Sequence, residues 1–181
     1  MRSSGLSLPM RHRFPYALIV AAVMALDQLA KALVDRLMEL HESRPIVEGL
    51  LSLTYVRNRG AAFGILSEAD LPYQSALFSV VSLLALGAIG LYSMRLPSTD
   101  RLSQIALSLV MGGALGNLID RSLHGYVIDF VDVYWKAHHW PAFNVADSCI
   151  SVGVCLLLLD ILRSPAETSK RDAVPAAGQT E

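Results

Sequence analysis

Four long apolar stretches separated by polar ones dominate the chain: about Phe14–Leu37, Gln74–Met94, Leu102–Ile119 and Phe143–Leu162. A helix of about 20 apolar residues crosses roughly 30 Å of hydrocarbon, so each stretch predicts a membrane span. The second holds no charged residue. The first carries Asp27 and Lys31, and the fourth carries Asp147 and Asp160. Those two spans therefore need a face turned to protein or water rather than to lipid. The connection Arg95–Arg101 is short enough to make spans two and three an antiparallel pair. On span three, Ser108, Gly112 and Gly116 recur at every fourth position, a spacing of small residues that lets helices approach closely.

Between the first two spans, Leu50–Val56 alternates and is rich in strand-forming residues. It predicts a small sheet or hairpin within Pro45–Leu66 that lies on the membrane surface, because an open sheet edge cannot face lipid. Arg57–Gly60 reads as a turn, and Gly60, Ala61, Ala62 and Gly64 permit close backbone approach. The expected fold is mainly α and integral to the membrane: four transmembrane helices with a small extracytoplasmic β-element and a periplasmic loop. Residues 1–13 form a polar leader, 14–163 the membrane domain, and 164–181 a polar tail expected to be disordered.

Composition agrees with this picture. At 53% hydrophobic and 17% charged, the chain departs from soluble averages, and a net charge of −1 gives no reason to expect nucleic acid. Arg2, Arg11, Arg13, Arg95, Arg101, Arg163, Lys170 and Arg171 lie on one side of the predicted spans. Arg36, Arg44, Arg57, Arg59, Arg121 and Lys136 lie on the other, in longer segments. Lys and Arg accumulate in cytoplasmic loops, which predicts both termini in the cytoplasm and residues 38–73 and 121–142 outside. The basic start also resembles a signal peptide, but Asp27 and Lys31 interrupt the apolar run and three more spans follow, so an uncleaved first helix is expected. Cys149 and Cys155, six apart on one span, face different ways; no disulfide is expected between them.

The polar residues inside or beside the spans are the candidates for chemistry. Asn144, Asp147, Ser148 and Ser151 share a stripe at the outer end of the fourth span. Asn144 or Asp147 could simply cap that helix, though Asp147 is deep for a cap. Asp129 lies in a loop among Val127, Ile128, Phe130, Val131 and Val133. Alone it reads as a loop carboxylate. Paired with Asp147 at the same membrane face it becomes a second titrating group: two carboxylates sharing a site cannot both ionise easily, so one takes a proton from water while the other donates to a carbonyl. Asn117, Asp120 and Arg121 end the third span at helical spacing, where a structural ion pair with Arg121 competes with a supporting role. Asp27 and Lys31 are four apart and could pair within the bundle. Asn58, on the external turn, could bind an extended peptide or close its own turn. No metalloprotease or serine-hydrolase signature occurs, and His138-His139 beside Trp140 suits an interfacial belt. No metal or cofactor is expected.

Taken together, these segments resemble the bacterial lipoprotein signal peptidases (signal peptidase II). The matching pieces are Asp27-Gln28 with Lys31, and Arg57-Asn58-Arg59-Gly60-Ala61-Ala62-Phe63-Gly64. They continue with Gly116-Asn117-Leu118-Ile119-Asp120-Arg121, Val127-Ile128-Asp129-Phe130 and Phe143-Asn144-Val145-Ala146-Asp147-Ser148. The resemblance covers about Pro15–Arg163. It implies an aspartic endopeptidase with Asp129 and Asp147 as catalytic dyad and Asp27, Asn58, Asn117, Asp120, Arg121 and Asn144 supporting the site or substrate. It implies residence in the bacterial inner membrane with the site toward the periplasm. Its implied substrates are prolipoproteins already bearing diacylglyceryl on the cysteine that follows the cut. Globomycin-like cyclic peptides are the implied inhibitors, and membrane lipids the surroundings. Residues 50–63 and the segment Trp135–Trp140 are the expected cradle and lid. The alternatives are a small proton-coupled transporter using Asp27, Asp120 and Asp147 as relay sites, and a membrane scaffold without enzymatic activity.

Overall fold

The structure, a computed structural model, describes residues 13–60, 73–97 and 99–163. The expected leader (save Arg13), the expected disordered tail and the segment Ala61–Gly64 lie outside the described residues.

Four helices form where the apolar stretches predict them: α1 (Phe14–Leu37), α2 (Gln74–Arg95), α3 (Arg101–His124) and α4 (Val145–Arg163). All four are long and apolar enough to cross a membrane. Their outward faces are apolar, with Leu26, Leu29, Leu33, Leu84, Leu91, Leu158 and Ile161 all more than half exposed. The inward faces carry polar groups among apolar ones such as Val23 and Val110: Asp27 and Lys31 of α1, Asn117 and Asp120 of α3, and Asp147 of α4 are buried. This distribution suits a chain whose solvent on the flanks is hydrocarbon.

α3 is the central helix and packs against the other three. Its small residues determine how closely. A Cβ on Gly112 would lie 2.7 Å from Val23 Cβ, and one on Gly116 would lie 2.5 Å from Asp27 Oδ2, so the predicted stripe meets α1. Gly113 faces α4 instead, where an added Cβ would lie 2.4 Å from the Ala146 carbonyl oxygen. α3 runs five residues beyond its predicted outer end. Asn117, Asp120 and Arg121 are therefore interior positions of the helix, buried under the sheet, and Gly125 at φ +78° stops the helix.

The predicted sheet is present but larger than a hairpin. Its order is β1 (Ser43–Val47), β2 (Leu51–Asn58), β3 (Val127–Trp135) and β4 (His138–His139). All pairs are antiparallel. Two expectations are corrected here. Asp129 belongs to a strand rather than a loop, because Val127, Ile128 and Val131 supply the β-branched residues that pair with β2. Arg57 and Asn58 end β2 rather than forming a turn. A bulge between Leu53 and Val56 sets the register that follows: Val56 opposes Asp129 and Asn58 opposes Val127. Asn58 and Asp129 thereby share one face. The other face buries Tyr55, Ile128 and Phe130 on Val34 and Met38 of α1.

Candidate active site

α4 begins with a reciprocal cap. The Asp147 backbone N–H donates to Asn144 Oδ1 at 2.9 Å, and the Asn144 backbone N–H donates to Asp147 Oδ2 at 3.3 Å. This is a capping box built from Asn and Asp, so the capping role weighed for both residues is real. It also fixes Asp147 at the sheet-side mouth of the bundle, where its Oδ1 accepts from Asn117 Nδ2 at 2.8 Å.

The start of α4 is tied to β3 by backbone bonds: Val131 N–H donates to Phe143 O at 2.8 Å, and Phe143 N–H returns to Val131 O at 3.1 Å. This pairing brings Asn144 beside Asp129. Asn144 Nδ2 donates to Asp129 Oδ1 at 2.7 Å, and Asn58 Nδ2 donates to Asp129 Oδ2 at 2.9 Å. Asp129 is 2% exposed. Burial, and then the charge of Asp147, push its carboxyl up to about 7 against the donors Asn58 and Asn144 and the ammonium of Lys31, which pull it down.

Behind the two carboxylates lies a charged cluster. Asp27 accepts the Ala146 backbone N–H at 2.9 Å, placing a carboxylate at the N-terminus of α4. It pairs with Lys31 at 2.7 Å, as their spacing predicts. Asp120 pairs with Lys31 at 2.9 Å and accepts from Gln28 at 2.8 Å and from the Ile128 backbone N–H at 3.2 Å. The expected ion pair between Asp120 and Arg121 is thus replaced, since successive helical residues point in different directions. Arg121 donates instead to the Gly60 carbonyl at 2.7 Å and lies 5.7 Å from the Phe78 ring centroid. Its buried Nε has no hydrogen-bond partner among the described residues.

Asp147 is reached from two sides. A hollow of ≈ 150 Å³ between α2, α3 and α4 is lined by Phe78, Val81, Asn117, Arg121, Asp147 and Ile150. A groove of ≈ 280 Å³ on the other flank of α4 is lined by Trp140, Phe143, Asp147, Ser148, Ser151 and Val152. The hydroxyls of Ser148 and Ser151 donate to the carbonyls one turn back, which leaves this groove largely apolar. A larger polar hollow of ≈ 520 Å³ around Arg36, Glu39, Glu42 and Arg44 touches neither carboxylate. His139 does not approach the site; it bonds Asp132 at 2.9 Å and stacks on Tyr134. Cys149 and Cys155 are free.

The sequence-predicted residues Asp27, Asn58, Asn117, Asp120, Arg121, Asp129, Asn144 and Asp147 therefore converge at one end of the bundle. Two were not singled out for the site. Gln28 bridges α1 to α3 through Asp120, and Lys31 reaches Asn117 at 2.8 Å as well as Asp27 and Asp120. The signal for Lys31 was its position one turn from Asp27 and the cost of leaving a cation unpaired in a span.

Four spanning helices around a buried cluster with two carboxylates at its mouth define a multi-pass membrane protein with hydrolase-like site chemistry. The model of the signal peptidase (SPase) II family matches residues 19–163, and the chain belongs to that family. The lipoprotein signal peptidase of Geobacter metallireducens is 52% identical over 155 residues, 86% of this chain and 94% of that one. That of Geobacter sulfurreducens is 53% identical over 80% of this chain and 89% of its own. The Geobacillus thermodenitrificans enzyme of the same description is 44% identical over 80% of this chain and 87% of its own. Two solved structures, each of a bacterial membrane enzyme determined in meso, superpose with TM-scores of 0.76. They share 31% and 30% identity, covering 88% and 83% of this chain and 94% of each solved one. Nothing in these relationships favours the transporter alternative.

Proposed function

We propose that the protein is an aspartic endopeptidase that removes the signal peptide from diacylglyceryl-modified prolipoproteins, cutting immediately before the lipidated cysteine. The observation that carries this reading is the convergence of Asp129 and Asp147 on one residue, Asn144, whose side-chain Nδ2 donates to Asp129 and whose backbone N–H donates to Asp147, at the mouth of a membrane-spanning bundle. Membership of the signal peptidase II family and the names of its relatives point the same way.

With the Asp129 carboxyl raised to about 7 by burial and by Asp147, the pair retains a proton up to near neutrality. The ionised partner removes a proton from water, whose oxygen adds to the scissile carbonyl. The protonated partner donates to the carbonyl oxygen. Collapse of the tetrahedral intermediate breaks the C–N bond and passes a proton to the departing cysteine amine. Arg121, whose Nε–H has no partner among the described residues and which lines the hollow, and Asn58 hold the extended substrate backbone. The signal helix and the acyl chains enter sideways from the bilayer through the grooves that meet at Asp147. The sheet from β2 forms the cradle, and the segment Trp135–Trp140 overhangs the groove through Trp140. The enzyme works without a cofactor, resides in the inner membrane with both termini cytoplasmic, and is blocked by globomycin-like peptides that occupy the dyad.

The test is cleavage of a purified diacylglyceryl-modified prolipoprotein by wild type, Asp129→Asn and Asp147→Asn, with a chelator present. Cleavage by wild type alone is expected. Near-normal cleavage by either variant would remove that carboxylate from the mechanism.

A further inference from the structure

Lys31 is a buried cation that the hydrolytic steps do not use. Its ammonium has three N–H bonds and three oxygen partners: Asp27 Oδ2 at 2.7 Å, Asp120 Oδ2 at 2.9 Å and Asn117 Oδ1 at 2.8 Å. The first two pairings explain why the charge is tolerated. The third does something else. An ammonium donates and cannot accept, so the end of the Asn117 amide facing it must be the carbonyl oxygen. The NH₂ end is then committed to the opposite direction, where it donates to Asp147 Oδ1 at 2.8 Å.

The same constraint travels one amide further. Asn117 Oδ1, turned to Lys31, also accepts from Asn144 Nδ2 at 3.2 Å, and that nitrogen is the one that donates to Asp129 Oδ1 at 2.7 Å. Asn144 Oδ1 is meanwhile held by the Asp147 backbone N–H. Both amides therefore point their donors at the two carboxylates and their carbonyls away. A side-chain amide left to itself is close to symmetric in shape, and either direction fits the space. With the amide reversed, a carbonyl oxygen would face Asp147, replacing a donor by a lone pair.

We infer that Lys31 is a positioning residue of the peptidase reaction, acting through Asn117 to fix which end of that amide faces Asp147. The inference rests on the reading of Asp129 and Asp147 as the reacting pair. Lys31 touches no substrate in this scheme. It makes the site polar in one sense only, with a single donor-only group at the root of a two-amide chain. That arrangement matters because preorganised donors act without reorienting during the reaction.

A double-mutant cycle tests it. Wild type, Lys31→Met, Asn117→Ala and the double variant are purified in detergent, checked for folding by thermal unfolding, and assayed for kcat and KM on diacylglyceryl-modified prolipoprotein. Each single change is expected to lower kcat about 10- to 100-fold, the span a hydrogen bond to a charged group carries, with KM within about twofold. The double variant is expected to match Asn117→Ala, since two groups acting as one unit do not add. Lys31→Arg, also donor-only, is expected to recover part of the kcat lost in Lys31→Met. Losses that multiply, or a folded Lys31→Met with wild-type kcat, would overturn the inference. If Lys31→Met does not fold, the cycle is run in an Asp120→Asn background, which relieves a carboxylate left without its cation, and the same two outcomes decide relative to that background. Cleavage by Asp129→Asn and Asp147→Asn, assayed in parallel, would instead overturn the reading of the dyad.

Discussion

Asn144 donates through Nδ2 to Asp129 at 2.7 Å from a position that also caps the helix bearing Asp147. One residue thus couples the geometry of a strand carboxylate to that of a helix carboxylate. The coupling is local in sequence on one side and depends on the Phe143–Val131 pairing on the other.

Replacing Asn144 separates these roles. Asn144→Asp keeps an acceptor for the Asp147 N–H but loses the donor to Asp129 and adds a like charge beside both carboxylates. Asn144→Ala loses the cap as well, at a cost of about 1 kcal/mol. Both variants are expected to lose cleavage by at least about 10-fold, the worth of a donor to a charged group. The alanine variant alone should show the cap loss in thermal unfolding at low pH, where the carboxyls are protonated. Retained activity in Asn144→Asp would show that the amide donor is dispensable.

Backbone contact between α3 and α4 yields a second prediction. An added Cβ at Gly113 would meet the Ala146 carbonyl oxygen at 2.4 Å, and one at Gly153 the Ala106 carbonyl oxygen at 2.6 Å. These obstacles are backbone atoms, so the helices must separate, and Asp147 moves from Asn117. Gly113→Ala is expected to cost about 1–3 kcal/mol and to depress cleavage. Gly87→Ala in α2, with nothing within 4 Å of the new Cβ, should behave as wild type. Equal thermal stability of the two variants would contradict the packing argument.

The four helices were legible because hydrocarbon imposes a length and an apolar composition that few other structures share. The carboxylates were legible because ionised groups near a bilayer need a reason. Less visible was β3. Val127–Trp135 carries Asp129 and Asp132 in an otherwise strand-like run, and the acidic residues made it read as a loop. Its partner residue Asn58 on β2 lies 71 residues from Asp129, and only tertiary pairing places the two on one face. The partner of Asp120 was missed for a related reason. The nearest cation in sequence is Arg121, but the nearest in space comes from α1, a choice made by helix packing.

Asp160 offers a contrast with Asp129 and Asp147. It lies near the C-terminal end of α4, where the Ser103 hydroxyl donates to it at 2.7 Å, at the start of α3. Its place there is that of an anion at a helix N-terminus, a structural role. Asp160→Asn retains an acceptor for Ser103 and is expected to cost about 1 kcal/mol or less with unchanged cleavage. A loss of kcat in a stably folded Asp160→Asn would tie the end of the bundle remote from the sheet to the reaction.

The strongest pH signature belongs to Asp129. Its carboxyl is pushed from an ordinary 3.8 up to about 7, by burial first and by Asp147 second. The folded protein therefore prefers the protonated form. The sign of the consequence follows from linkage: the stabilisation is complete below about 3.8 and is lost progressively until the pH passes about 7. At about 1.4 kcal/mol per pH unit, this amounts to roughly 4 kcal/mol over the window. Asp129→Asn has no such group to ionise. Thermal unfolding in detergent from pH 4 to pH 8 should thus show wild type losing stability relative to Asp129→Asn as pH rises, with the difference levelling off above about 7. Cleavage by wild type should fall on the same alkaline side, because loss of the shared proton removes the acid that the scissile carbonyl needs. A stability difference that stays flat across this range would mean that Asp129 ionises as an ordinary carboxylate, and the shared-proton mechanism would lose its acid.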